Sequence, residues 1–154
     1  MASLKLLQKN EKSTKELFLD TLAKIGCSYT IDEEDDGISF SFQGETFVAW
    51  IHGDFYISIW DYFWKRRDLH DIDNLSQIKR LINEANTTYG ITTIYSIEEE
   101  DNLLSLHCKV MIPFIAQIPQ LDDYLKIELN QFFRVHRFID LEEDRRKNLL
   151  TTSS

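Results

Sequence analysis

Apolar positions first recur at helical spacing in "STKELFLDTLAKIG", where Phe18, Leu22 and Ile25 share a face. Ser13 and Glu16 stand three apart, as in a capping box, and Gly26 supplies a left-handed stop. The period then shortens to two. "SYTID", "GISFSFQ", "ETFVAWIH" and "DFYISIWDYF" predict four short strands, and the intervening "EEDDG", "QGE" and "HGD" predict hairpins, so that the strands run antiparallel. Helical spacing returns in "DIDNLSQIKRLINEANTTYG", with Leu75, Ile78, Leu81, Ile82 and Ala85 on the inner face, Asp73 or Asn74 as the cap and Gly90 at the end. "ITTIYSIEEEDNLLSLHCKVMIPF" predicts a second hairpin around Glu99 to Asn102. From Pro119 a long third helix carries the stripe Leu121, Leu125, Phe132, Val135 and Ile139, flanked by Tyr124, Leu129 and Phe138. The order is α-ββββ-α-ββ-α: an α+β fold in which an antiparallel meander sheet carries helices mainly on one face. At 154 residues a single domain over residues 1–150 is expected, with residues 151–154 fraying.

Hairpin parity predicts which strand face is buried. Residues paired across a two-residue loop have numbers that sum to an odd value, and alternate residues share a face. A two- or four-residue loop between Gln43 and Thr46 puts Ile38, Phe40 and Phe42 with Phe47, Ala49 and Ile51. A two-residue Gly53-Asp54 loop would add Tyr56, Ser58 and Trp60 to that inner face and send Val48, Trp50, Phe55, Ile57 and Ile59 to the outer one. A three-residue loop or a bulge would exchange the faces. In the later hairpin, Tyr95, Ile97, Leu104, Leu106, Cys108 and Val110 are expected to complete the core, opposite Ser96, Leu103, Ser105, His107, Lys109 and Met111. The outer group at Val48, Trp50, Phe55, Ile57 and Ile59 would rival the largest apolar patch of an ordinary monomer, which makes it the candidate protein-interaction site.

Charge and chemistry narrow the function classes. The formal net charge of −9 repels a polyanion, so nucleic acid is an unfavoured partner, and the basic run Lys65-Arg66-Arg67 reads as a solvated strand edge. No stretch has the roughly 20 apolar residues of a membrane span, and "MASLKLLQKNEKS" is too short in apolar run for a secretory signal, so a cytoplasmic location without membrane attachment is expected. Cys27 and Cys108 are expected as buried free thiols. "DLHDID" and "EEDD" have the spacing of neither a calcium loop nor a zinc helix and are expected to be solvated turns and helix caps. No catalytic motif or metal-ligand set is present, and no cofactor is expected. His52 and His107 could share the outer face, and His136 reads as a boundary hydrogen-bonder.

"INEANTTYG" before the hairpin, then "LLSLHCKVMIPF" with its Ile112-Pro113 pair and "LDDYLKIELNQFF", together with the opening "YTIDEEDDGISFSFQGETFVAWI", resemble the YbjN-like family and the wider type III secretion chaperone-like fold. The resemblance implies a small cytosolic protein that binds other proteins and commonly dimerises. The expected function is thus a non-enzymatic, chaperone-like protein-interaction module, binding a protein partner or a second copy through the outer sheet face. The alternative is a small-molecule-binding protein or an enzyme with its site near His52 and His107.

Overall fold

The computed structural model describes residues 12–152, with side chains through Leu149. Of the segment expected to hold no secretory signal, residues 1–11 fall outside the described residues, as do residues 153–154 of the tail 151–154 expected to fray; residues 151–152 are still helical. The elements are α1 (Thr14–Lys24), β1 (Tyr29–Ile31), β2 (Ile38–Phe42), β3 (Glu45–His52), β4 (Tyr56–Asp68), α2 (Ile72–Thr88), β5 (Thr92–Glu98), β6 (Leu103–Pro113) and α3 (Leu121–Thr152). This is the α+β order expected. The strands form one sheet in the order β1-β2-β3-β4-β6-β5, with antiparallel pairing at β1–β2, β2–β3, β3–β4 and β5–β6. Contacts divide the chain into two compact units, Met1–Trp60 with Val110–Leu129, and Asp61–Lys109 with Asn130–Ser154.

In the first unit α1 starts where Ser13 Oγ accepts the Glu16 N–H at 3.1 Å. It ends in a Schellman motif: Gly26, at φ +82°, donates to the Ala23 carbonyl, and Cys27 donates to that of Leu22. The buried face of α1, Phe18 and Leu22, meets the sheet through the edge-to-face contact of Phe18 with Phe40 at 5.8 Å. The β2–β3 turn, Gln43-Gly44, has positive φ at both positions, as a type I′ hairpin requires. Its register pairs Phe40 with Phe47 and Ile38 with Ala49, and these four form the inner face as expected.

The next hairpin departs from expectation. His52 pairs with Tyr56 across a three-residue loop, Gly53 to Phe55, so paired numbers sum to an even value and the faces of β4 exchange. Ile57 and Ile59, expected outside, pair with Ile51 and Ala49 and are completely buried. Tyr56, Ser58 and Trp60, expected inside, stand opposite His52, Trp50 and Val48. The third loop residue is held by contacts that lie far away in sequence. Gly53 takes φ +64°, Thr14 Oγ1 donates to the Asp54 carbonyl at 2.6 Å, and the Phe114 N–H donates to that of Phe55 at 2.7 Å.

In the second unit α2 buries Ile78, Leu81, Ile82 and Ala85. Its N-cap is Asp71 rather than Asp73 or Asn74, because the Asp71 carboxylate accepts the Asn74 N–H at 3.1 Å. The α3 stripe contributes Phe132, Val135 and Ile139 to this unit, and Leu125 and Leu129 to the first. The β5–β6 register is the expected one, pairing Glu98 with Leu103 and Thr93 with Cys108. Leu104, Leu106 and Cys108 are buried, but Tyr95 and Ile97 are 43% and 50% exposed. β5 ends the sheet, so sharing a face with core residues does not bury its side chains.

Candidate interaction surfaces and buried polar sites

The five residues predicted as one outer patch are not brought together. Val48 and Trp50 lie on the face opposite the inner one, half-buried; Phe55 is a half-buried loop residue; Ile57 and Ile59 are core. Trp50 is also covered from within its own unit. A Cβ placed on Gly37 would come within 2.9 Å of the Trp50 ring, so this glycine lets the β1–β2 turn lie against the indole. The acidic turn is built for that approach. Asp32 Oδ1 accepts the N–H groups of Glu34 and Asp35, and Asp35 Oδ1 accepts that of Gly37. In "DLHDID", Asp68 accepts the His70 N–H while Asp71 caps α2, so these carboxylates organise backbone.

The two histidines occupy different environments. His52 is exposed, with Nε2 at 2.8 Å from Ser58 Oγ in the first unit. His107, in the second unit, is buried. Its Nδ1 accepts the Phe63 N–H at 3.0 Å, which places the ring proton on Nε2, and Nε2 donates to Ser96 Oγ at 2.8 Å. Burial lowers the His107 pKa below the ordinary histidine value, so the ring is neutral at pH 7. Phe63 can donate to a side chain because β4 is bulged there. Phe63 has φ +54°, and Tyr62 and Phe63 are both exposed, breaking the alternation. His136 pairs through Nε2 with the completely buried Asp61 at 3.0 Å and stacks on Trp64 at 4.1 Å.

The basic run is a solvated edge only at Arg66, which is exposed; Lys65 and Arg67 are half-buried. β4 extends through it, and each cation has a carboxylate in the second unit. Lys65 meets Asp140 and Glu143, Arg67 makes a bidentate pair with Glu143, and Arg66 lies 3.4 Å from Glu98 and over the Phe63 ring. Glu143 is buried, which opposes its ionisation. The Arg67 hydrogen bonds and the Lys65 and Arg67 charges prevail and hold its carboxyl below the ordinary value. The α3 pattern hid this residue, since a glutamate one turn past Ile139 reads as the polar end of the stripe.

Both cysteines are buried free thiols, as expected. Burial pushes the Cys108 thiol up to about 12, and raises that of Cys27. Cys108 is therefore expected to react with a thiol reagent at pH 8 only as the chain unfolds. Its labelling rate, followed by mass spectrometry, should match the urea-dependent opening rate, and fast native labelling of Cys108 would contradict its burial.

β5 carries the most exposed apolar strand of the second unit, with Ile94, Tyr95 and Ile97 at 36%, 43% and 50%. Among the described residues, its outward side is closed only at its start, at Thr93. The Asn86 side chain accepts the Thr93 N–H at 2.7 Å and donates to the Thr93 carbonyl at 3.0 Å, as a neighbouring strand would. Main-chain groups of alternate residues point to one side, so Tyr95 and Ile97 present theirs with Thr93, away from β6.

Among the described residues no helix is long and apolar enough to cross a membrane. No protein-family model matches the sequence, and no curated protein matches it. Two solved structures share its fold. One is an uncharacterized protein from Methanothermobacter thermautotrophicus, 14% identical, covering 86% of this chain and 98% of that one at a TM-score of 0.59. The other is YbjN from E. coli, described as "a putative transcription regulator", 10% identical, covering 88% of this chain and 94% of that one at a TM-score of 0.55. The chain thus has a YbjN-like fold.

Proposed function

We propose that this protein is a non-enzymatic, cytoplasmic interaction module whose β5 edge takes an extended segment of a protein partner or of a second copy. The observation that carries this reading is the half of β5 left open among the described residues. Tyr95 and Ile97 combine exposed apolar side chains with main-chain groups turned outward, the two components of strand addition. Lys79 lies over the Tyr95 ring at 5.4 Å and steadies one of these side chains. The state of His107 supports a binding role over catalysis at that residue. Both its nitrogens are engaged, leaving neither for proton transfer. The net charge of −9 favours protein over nucleic acid as the partner. A chaperone-like holding of extended segments is one form of this activity.

Ile97→Pro tests it. Proline removes an outward N–H at an edge, where no ladder bond to β6 depends on it, so the fold should survive at a cost of about 1 kcal/mol or less. Loss of one main-chain bond and the clash of the ring should weaken strand addition by about tenfold or more. Wild type and variant are compared by sedimentation for self-association and by affinity capture with mass spectrometry for partners. The reading expects associated species that Ile97→Pro loses. Identical sedimentation and identical capture would overturn it.

A further inference from the structure

On the second unit a hollow of about 240 Å³ is lined by Tyr89, Arg134, Arg137, Phe138, Leu141 and Glu142. Its floor is aromatic. Tyr89, at the end of α2, meets Phe138 of α3 edge to face at 5.7 Å, and the Arg134 guanidinium lies over the Tyr89 ring at 6.0 Å. Leu141, one turn along α3, is 61% exposed at the rim. The volume is below the roughly 300–1,000 Å³ of small-molecule pockets, which suits one side-chain anchor rather than a whole metabolite.

The charges around it are uneven. Glu142 is already paired with Arg145, and Arg146 with Glu84. Among the described residues, Arg134 and Arg137 make no ion pair, although acidic residues outnumber basic ones by 26 to 17. One helix turn therefore presents two uncompensated guanidinium groups beside an apolar seat. Arginine there can hold carboxylates bidentately while its stem packs on the aromatic rings.

We infer that this hollow is a docking site for an acidic protein segment carrying an apolar anchor, with the anchor on Tyr89, Phe138 and Leu141 and its carboxylates on Arg134 and Arg137. The site shares no residue with the β5 edge, so the two can be tested apart. The probe is a phage-displayed random dodecapeptide library selected on the intact chain, with the enriched peptides resynthesised and measured by fluorescence polarisation. Enriched peptides should combine Asp or Glu with Leu, Phe or Trp. Their affinity should fall about tenfold or more on Arg134→Glu/Arg137→Glu and several-fold on Leu141→Ser, and should weaken with added salt. All three positions are at the surface, so the melting temperature should stay within about 2 °C of wild type. Three results would overturn the assignment: no enrichment, enrichment of peptides lacking acidic residues, or affinity unchanged by the double charge reversal. Binding that survives the reversal but is lost in Ile97→Pro belongs to the β5 edge and overturns it equally.

Discussion

Ile57→Lys is expected to abolish folding, while Tyr56→Lys, one residue away on the same strand, should leave the melting temperature within about 2 °C of wild type. Ile57 is completely buried opposite Ile51, and Tyr56 is 47% exposed opposite His52. Removing a buried isoleucine costs about 2–5 kcal/mol. Placing an unpaired ammonium there adds several more, bringing the total near the 5–15 kcal/mol that stabilises a typical domain. Phe40→Lys should behave like Ile57→Lys, because both side chains belong to the inner face. Circular dichroism and urea titration of the three variants decide the matter. A folded Ile57→Lys beside an unfolded Tyr56→Lys would mean that the β3–β4 register is shifted by one residue.

What separates those two residues is one loop position, and it marks the boundary of what the pattern of residues could reveal. Element order, α1 with its cap and stop, the Gln43-Gly44 turn and the β5–β6 register were legible because each depends on neighbours in sequence. "HGD" before "FY" is locally compatible with a two- or three-residue loop. The choice is made by Thr14 and Phe114, which reach the loop carbonyls from elsewhere in the first unit. The same holds for the basic run. Lys65-Arg66-Arg67 looks like a wet strand end until Asp140, Glu143 and Glu98 are brought to it by folding. Tyr95 and Ile97 err in the opposite direction. Alternation assigned them correctly to the face of Leu104 and Leu106, but periodicity carries no information on whether a strand ends the sheet.

Glu143→Gln is expected to destabilise the protein by about 3 kcal/mol, since removing one member of a buried ion pair leaves its partners desolvated without compensation. Its side chain is 3% exposed, and those of Lys65 and Arg67 are 11% and 27%. The glutamine cannot neutralise two cations. For a chain of this size the loss corresponds to roughly 6–12 °C in melting temperature. An exposed pair would give no more than about 1 kcal/mol, and a shift that small would show that solvent already screens this cluster. pH provides an independent check. Because folding lowers the Glu143 pKa, its contribution is complete above the ordinary carboxylate value of 4.5 and disappears as pH falls through the depressed folded value. The gap in stability between wild type and Glu143→Gln should therefore be constant from neutral pH to about 5 and should close in acid. A gap that persists unchanged into acid would assign the cost of the substitution to packing of the amide rather than to the lost charge.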